Sequence, residues 1–207
     1  MASRTGRGWS GYCPTCAGTG ALAEGELAAL ERQVYAALLR RRCREARALP
    51  AAERAEAVRA LDRFWARLPA RLRREPELVL AWLDALAALG RPERAARRMA
   101  RFLARRWDGR LAARYAALPG GDSLKRVKQL EGWLAEHPDD PDLLEALAAL
   151  CARCELWGKA RDYYERALAL RPAPATWLAL GRLLEARGEA QAACERYREG
   201  LRAAVES

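Results

Sequence analysis

The sequence predicts an all-α fold of roughly ten helices, stacked as antiparallel pairs into a solenoid. Alanine, leucine and arginine dominate its 207 residues, and this composition favours helices over sheets. Apolar residues make up 51% of the chain, so a buried core is expected rather than disorder. The third observation is an internal repeat in which apolar residues recur at helical spacing.

The clearest repeat runs from Pro141 to Pro172. Its first half carries an apolar stripe at helical spacing, and its second half combines small residues with an aromatic one. These positions are Leu144, Leu147, Ala148, Cys151, Ala160, Tyr164 and Ala167. They are the large, small and aromatic positions of a tetratricopeptide repeat, so the pattern predicts a helical hairpin of that type.

Two further units follow the same pattern, one from Pro174 and a less regular one from Pro76. Gly188 and Gly90 mark the turns between their helices, because glycine adopts the left-handed conformation most easily. The first unit carries Trp177, Leu180, Gly181, Leu184, Ala193, Tyr197 and Gly200, and the second carries Val79, Trp82, Leu83, Leu86, Ala95, Met99 and Phe102. Three units are enough to predict a stable stack.

The remaining segments are also predicted to be helical. Residues 111–118 and 124–137 form a pair around a Pro-Gly-Gly turn, and either Asp122 or Ser123 is expected to cap the second helix. Two amphipathic faces precede them: Leu27, Leu30, Val34, Leu38, and Val58, Leu61, Trp65, Leu68.

Four segments are expected along the chain. Residues 1–20 are unstructured or read out of frame, and residues 21–75 form one or more N-terminal helical pairs. Residues 76–138 hold divergent repeats, and residues 139–207 hold two tetratricopeptide repeats with a C-terminal helix.

A stack of helical hairpins presents an extended groove lined by the first helix of each pair. We therefore predict a partner-binding groove on these helices, with other proteins as its partners. The candidate positions are Leu80, Asp84, Glu145, Ala149, Arg153, Leu178, Arg182 and Glu185.

The net charge of +10 is concentrated in the first half of the chain. Residues 21–110 hold 21 basic and 12 acidic residues, whereas residues 111–207 hold 14 and 15. The basic first half could bind anionic lipid, nucleic acid or an acidic protein, or its charges could simply lie on solvated helix faces. No nucleic-acid partner is predicted, because the sequence carries no zinc-finger spacing and no aromatic RNA-binding signature.

Neither a catalytic site nor a cofactor or metal site is predicted. Cys13 and Cys16 resemble half of a zinc site, but the most obvious other half includes Cys151, which takes a core position. His137, the only histidine, lies at the C-terminal end of a predicted helix. There its side chain can interact favourably with the helix dipole. Because the only histidine lies at this helix end, no histidine-based triad is predicted, and no phosphate-binding or dinucleotide motif is present.

Several stretches resemble the C-terminal region of HemY proteins. They are residues 131–140 (EGWLAEHPDD), 156–161 (LWGKAR) and 164–168 (YERAL), together with Phe64-Trp65, Leu68-Pro69, Leu103 to Trp107-Asp108 and Leu22 to Leu27. The resemblance covers residues 21–201. It implies a tetratricopeptide scaffold of the bacterial inner membrane, with its repeats in the cytoplasm, that takes part in organising late haem biosynthesis without catalysing a step.

The N-terminus departs from that family, whose members begin with two membrane-spanning helices and further repeats. Residues 1–20 match nothing in the family, and no stretch of this chain approaches the length of a membrane span. In another reading frame, residues 9–20 can encode a leucine-rich helix. We therefore expect residues 1–20 to be a misassigned start on a truncated gene, and the chain as written to be soluble.

Two other functions remain open from the sequence. The chain could be a generic soluble tetratricopeptide adaptor for envelope assembly or secretion. It could also bind haem or porphyrin directly, because arginines pair with carboxylates such as the propionates, although one histidine offers little axial ligation.

Overall fold

The computed structural model describes residues 24–205, and within this range it contains ten α-helices and no β-strand. This confirms the predicted all-α architecture. A 3-10 turn at Leu72–Arg74 lies between the second and third helices. The helices are α1 (Glu24–Arg47), α2 (Ala51–Arg67), α3 (Pro76–Ala88), α4 (Pro92–Leu103), α5 (Gly109–Ala116), α6 (Ser123–Glu136), α7 (Pro141–Arg153), α8 (Trp157–Leu170), α9 (Pro174–Ala186) and α10 (Ala190–Val205).

The helices pack as successive hairpins. Within each hairpin α3 packs on α4, α7 on α8, and α9 on α10. Each odd-numbered helix also contacts the next odd-numbered one; for example, α1 packs against α3, and α5 packs against α7. The odd-numbered helices therefore form one layer of the stack, and we call its outer surface the odd-helix face. This is the layer order of a helical-hairpin solenoid.

The predicted apolar stripe of the clearest repeat is buried as expected. Leu144, Leu147, Ala148 and Cys151 of α7 have no exposed surface, and neither does Ala160 of α8. Each fully buried leucine contributes roughly 1.5–3 kcal/mol of hydrophobic free energy. The repeat pattern therefore identified the core of this hairpin correctly.

Small residues allow the two helices of the last hairpin to touch. A Cβ atom built on Gly181 of α9 would lie 2.2 Å from Cε1 of Tyr197 on α10. A Cβ atom on Gly200 would lie 2.9 Å from Cβ of Trp177. Distances this short are not tolerated between carbon atoms, so α9 and α10 can pack this closely only with glycine at both positions.

The turns and caps follow the sequence signals. Gly90 and Gly188 have φ angles of 80° and 78°, which glycine adopts without the steric cost that other residues incur. Asp122 caps α6, because its side chain accepts a hydrogen bond from the Lys125 amide at 3.1 Å. Of the two candidate caps, Asp122 is therefore the one used, and Ser123 is the first residue of the helix.

The buried face of α1 differs from the predicted one. Leu27, Leu30 and Val34 are 57%, 48% and 50% exposed. The opposite side of the helix is buried instead, with Ala36 and Leu39 at its centre, because that is the side that meets α3. Periodicity predicted an amphipathic helix here, but it could not identify the neighbour that would cover it.

We predict that Gly181→Ala destabilises the protein by about 1–3 kcal/mol, because the added methyl group forces Tyr197 or the whole of α10 to move. In a domain of this size the melting temperature should fall by roughly 2–4 °C for each kcal/mol. Thermal unfolding followed by circular dichroism measures the change.

Gly132→Ala is the matched control. Gly132 lies in α6, and a Cβ atom added there would meet nothing within 4 Å, so the same substitution should stabilise the helix by about 0.5–1 kcal/mol. Opposite signs are expected for the two variants. Equal stabilisation of both would show that α9 and α10 do not pack this closely.

Candidate partner-binding face

The eight positions predicted to contact a partner all lie on odd-numbered helices. Leu80 and Asp84 lie on α3 and are half-buried, as is Glu145 on α7. The other five are exposed: Ala149 and Arg153 on α7, and Leu178, Arg182 and Glu185 on α9. The structure therefore groups them on one layer, and their contact with a partner stays a prediction.

Three of these residues connect neighbouring odd-numbered helices. Asp84 of α3 forms an ion pair with Arg114 of α5, and Arg153 of α7 donates a hydrogen bond of 2.7 Å to the Ala116 carbonyl at the end of α5. These bonds fix the relative positions of α3, α5 and α7. The side chains of Asp84 and Arg153 thus shape the odd-helix face as well as lining it.

Glu145 makes the corresponding connection between α7 and α9. Its Oε1 atom accepts a hydrogen bond from the Thr176 hydroxyl at 2.8 Å and lies 3.1 Å from Nη2 of Arg171. Thr176 is itself 3% exposed. Because hydrogen bonds to charged groups are among the stronger ones, this contact holds the last hairpin in register with the one before it.

Leu178 and Glu185 lie on α9, beside residues of α10. Leu178 lies in an apolar depression of about 430 Å³ between α9 and α10, beside Leu201 and Tyr197. Glu185 accepts a hydrogen bond of 2.8 Å from the Tyr197 hydroxyl. The structure therefore does not bring Leu178 together with Leu80 and Asp84, which line a separate cavity.

That cavity is a cleft of about 370 Å³ between α1, α3 and α5. Leu80 and Asp84 form part of its wall, and Arg40, Arg44 and Arg47 of α1 face them, with Arg114 of α5. We call it the basic cleft. The charge distribution along the sequence indicated a basic first half of the chain but not this cluster. The i, i+4, i+7 spacing of the α1 arginines could have revealed it, because this spacing places them on one helix face.

Cys43 also lines the basic cleft. Burial raises the pKa of its thiol, and the nearby positive charges of Arg47 and Arg44 only partly oppose that effect. The thiol therefore stays protonated at neutral pH and contributes to the wall as a small apolar side chain.

His137 packs against an aromatic ring. It lies at the C-terminal end of α6, where its ring stacks on Trp107 with 4.0 Å between centroids. The indole Nε1 of Trp107 donates a hydrogen bond of 2.7 Å to Oδ2 of Asp140. Oδ1 of the same carboxylate accepts from the Leu143 amide at 3.1 Å and so caps α7. The sequence predicted the position of His137 but not its pairing with Trp107, which is 30 residues earlier.

The cysteine of the clearest repeat occupies the predicted core position. Cys151 is fully buried, and burial raises the pKa of its thiol to about 11. Cys13 and Cys16, the pair that resembles half of a zinc site, lie outside the described residues. Within residues 24–205, histidine, cysteine and acidic side chains do not converge into a group that could hold a metal ion. None of the described helices is both long and apolar enough to span a membrane.

Comparison with known proteins supports the fold. Neither a protein-family model nor a curated protein matches the chain. Among solved structures, MamA residues 41 to the end from Desulfovibrio magneticus RS-1 is 22% identical, with a TM-score of 0.52, and the match covers 85% of this chain and 96% of that solved chain. A MamA RS-1 double mutant is 21% identical with a TM-score of 0.51, covering 84% and 95%.

A third solved structure, a crystal structure of MamA, is 16% identical with a TM-score of 0.52, and the match covers 75% of this chain and 91% of that solved chain. Identities this low show a shared fold alone. MamA is a tetratricopeptide-like helical solenoid, so the predicted solenoid type is confirmed. The finer resemblance to HemY proteins is not shown by these comparisons.

We predict that Asp140→Ala lowers the free energy of unfolding by about 2 kcal/mol, because it removes both the cap of α7 and the acceptor for the Trp107 indole. Chemical denaturation followed by circular dichroism measures this loss. Asp139→Ala removes the same charge from the adjacent exposed residue and should change stability by less than about 0.5 kcal/mol. Similar losses in both variants would mean that the bonds made by Asp140 contribute little.

Proposed function

We propose that this protein is a non-enzymatic scaffold that holds partner proteins on its odd-helix face. The observation that carries the proposal is the series of bonds between neighbouring odd-numbered helices: Asp84 with Arg114, Arg153 with Ala116, and Glu145 with Thr176. These bonds keep the face in one arrangement before a partner arrives. A preorganised surface loses less conformational entropy when it binds.

Side chains of varied chemistry lie on this preorganised face. Ala149 and Arg182 are exposed, and Leu80 lines the basic cleft. With the exposed carboxylate of Glu185, the layer therefore carries apolar, positive and negative side chains. This variety suits recognition of protein surfaces, which combine apolar anchors with polar contacts.

The proposal of a non-catalytic role is supported by the environment of the only histidine. The ring of His137 is stacked on Trp107 at a helix end, and the neighbouring Asp140 carboxylate already accepts two hydrogen bonds. These groups are engaged in packing and capping, which is a structural use of residue types that often serve in catalysis.

For the partners, we propose enzymes of late haem biosynthesis at the bacterial inner membrane, and this finer proposal rests on the sequence resemblance to HemY proteins. A generic adaptor for envelope assembly or secretion is the alternative. The two differ in the identity of the proteins bound, which the following experiment measures.

A photo-crosslinking residue placed at Ala149 or at Arg182 should form covalent adducts with partner proteins in cells, because both positions are exposed on the odd-helix face. Asp162 of α8 is exposed on the other layer and serves as the control position. Adducts are identified by mass spectrometry after purification of the full chain.

Adducts with the same proteins at Ala149 and Arg182, but not at Asp162, are the expected result. Equal recovery at all three positions would contradict the scaffold proposal. Porphyrin-oxidising or iron-inserting enzymes among the adducts would support the haem assignment. Their consistent absence, with other specific partners present, would refute that assignment and favour the adaptor.

A further inference from the structure

The basic cleft has an excess of positive charge at the amino-terminal end of the described stack. Four arginines line it against two carboxylates, Glu77 and Asp84. Asp84 is already paired with Arg114 of α5. This leaves the three arginines of α1 and one lining carboxylate, that of Glu77. Positive charge is therefore in excess, and the cleft attracts anionic groups.

We propose that the basic cleft binds an acidic peptide segment in extended conformation. This inference rests on the scaffold function proposed above and specifies the chemistry of one of its partners. Guanidinium groups match carboxylates in geometry, since both are planar and can form two parallel hydrogen bonds.

The spacing of the arginines suits an extended chain. Arg40 and Arg44 are one helical turn apart, a rise of about 6 Å along α1. Alternate side chains of an extended peptide are about 6.6 Å apart on one side of the backbone. Two acidic side chains at alternate positions can therefore reach successive arginines, and Arg47 is available to a third group.

The opposite wall suits the rest of such a peptide. Leu80 and Ala88 of α3 are half-buried and apolar, so they can cover an apolar side chain that points away from the arginines. Glu77 can accept a hydrogen bond from a peptide amide. The cleft volume of about 370 Å³ lies within the range of sites that enclose small ligands or a few residues.

A phosphate-rich ligand fits the cleft less well than a peptide does. Glu77 would repel phosphate oxygens brought against that wall, whereas a peptide offers amide donors to its carboxylate. A bilayer is also broad and flat, while these arginines line a recess between helices. Mixed charge in a recess thus favours an acidic peptide over lipid headgroups or nucleic acid.

The test uses the full chain and a fluorescein-labelled short peptide of alternating glutamate and leucine, with binding followed by fluorescence anisotropy. The double variant Arg40→Ala/Arg44→Ala should weaken binding by about tenfold or more, because two charge-assisted contacts are lost. The same peptide with glutamine in place of glutamate should bind at least about tenfold more weakly than the acidic peptide.

Arg97→Ala/Arg101→Ala is the matched control. These two arginines are also exposed, are also four residues apart on one helix, and lie on α4 outside the cleft. The control removes the same charge and should weaken binding by less than about twofold. Circular dichroism of both variants verifies that they remain folded.

Equal losses in the two double variants would show that the peptide responds to net charge alone, and would overturn the proposal. So would the absence of binding by the unmodified chain, or equal binding of the glutamine peptide. Single-stranded RNA or phosphatidylglycerol vesicles are tested as competitors. If either binds more tightly than the peptide and loses that binding in Arg40→Ala/Arg44→Ala, the cleft is a phosphate site instead.

Failure of this inference is distinguishable from failure of the scaffold function. Crosslinking at Ala149 reports on α7, away from the basic cleft. If the acidic peptide does not bind but Ala149 still captures specific partners, the scaffold function stands and the cleft assignment is wrong. If Ala149 and Arg182 capture no specific partners, the scaffold function itself fails, whatever the peptide does.

Discussion

Close approach of paired helices at small residues is the constraint on which the rest of the structure depends. Gly181 contacts the ring of Tyr197, and Ala148 and Ala160 are buried without exposed surface in the preceding hairpin. Larger side chains at these positions would separate the helices of each pair. Each hairpin would then present a different surface to the next one. The bonds between odd-numbered helices form because this packing brings α3, α5, α7 and α9 into one layer.

The sequence predicted the hairpins well, because the relevant information is local. The spacing of Leu144, Leu147 and Cys151 within one helix determines which side of that helix is buried. The sequence predicted α1 less well for the converse reason. Leu27 and Leu30 form a regular stripe, yet they are exposed, because burial of a helix face depends on which neighbouring helix covers it and not on the helix itself.

The sequence predicted which helices carry the candidate site residues, but it did not predict which residues these side chains bond to. The repeat register predicted that Glu145 and Arg153 share one helix, and both lie on α7. Their bonds to Thr176 and Ala116, however, join residues 31 and 37 positions apart. Nothing in local spacing predicts which residues of two hairpins will meet. The basic cleft shows the same limit, because Arg44 and Leu80 become neighbours only when α1 packs on α3. Sequence patterns therefore predict surfaces, and packing determines which of their residues act together.

The odd-helix face is not electrostatically uniform, and this bears on how it could hold more than one partner. Its α1–α3 end is dominated by arginine, whereas α7 and α9 combine Glu145 and Glu185 with Arg182. Packed helices are about 8–10 Å apart, so α3 and α9 are separated by several times the screening length of about 8 Å at physiological salt. Charges at one end therefore have little influence on binding at the other. A solenoid of this kind can attract an acidic segment at its amino-terminal end while its carboxy-terminal hairpins select a second surface by shape and mixed polarity.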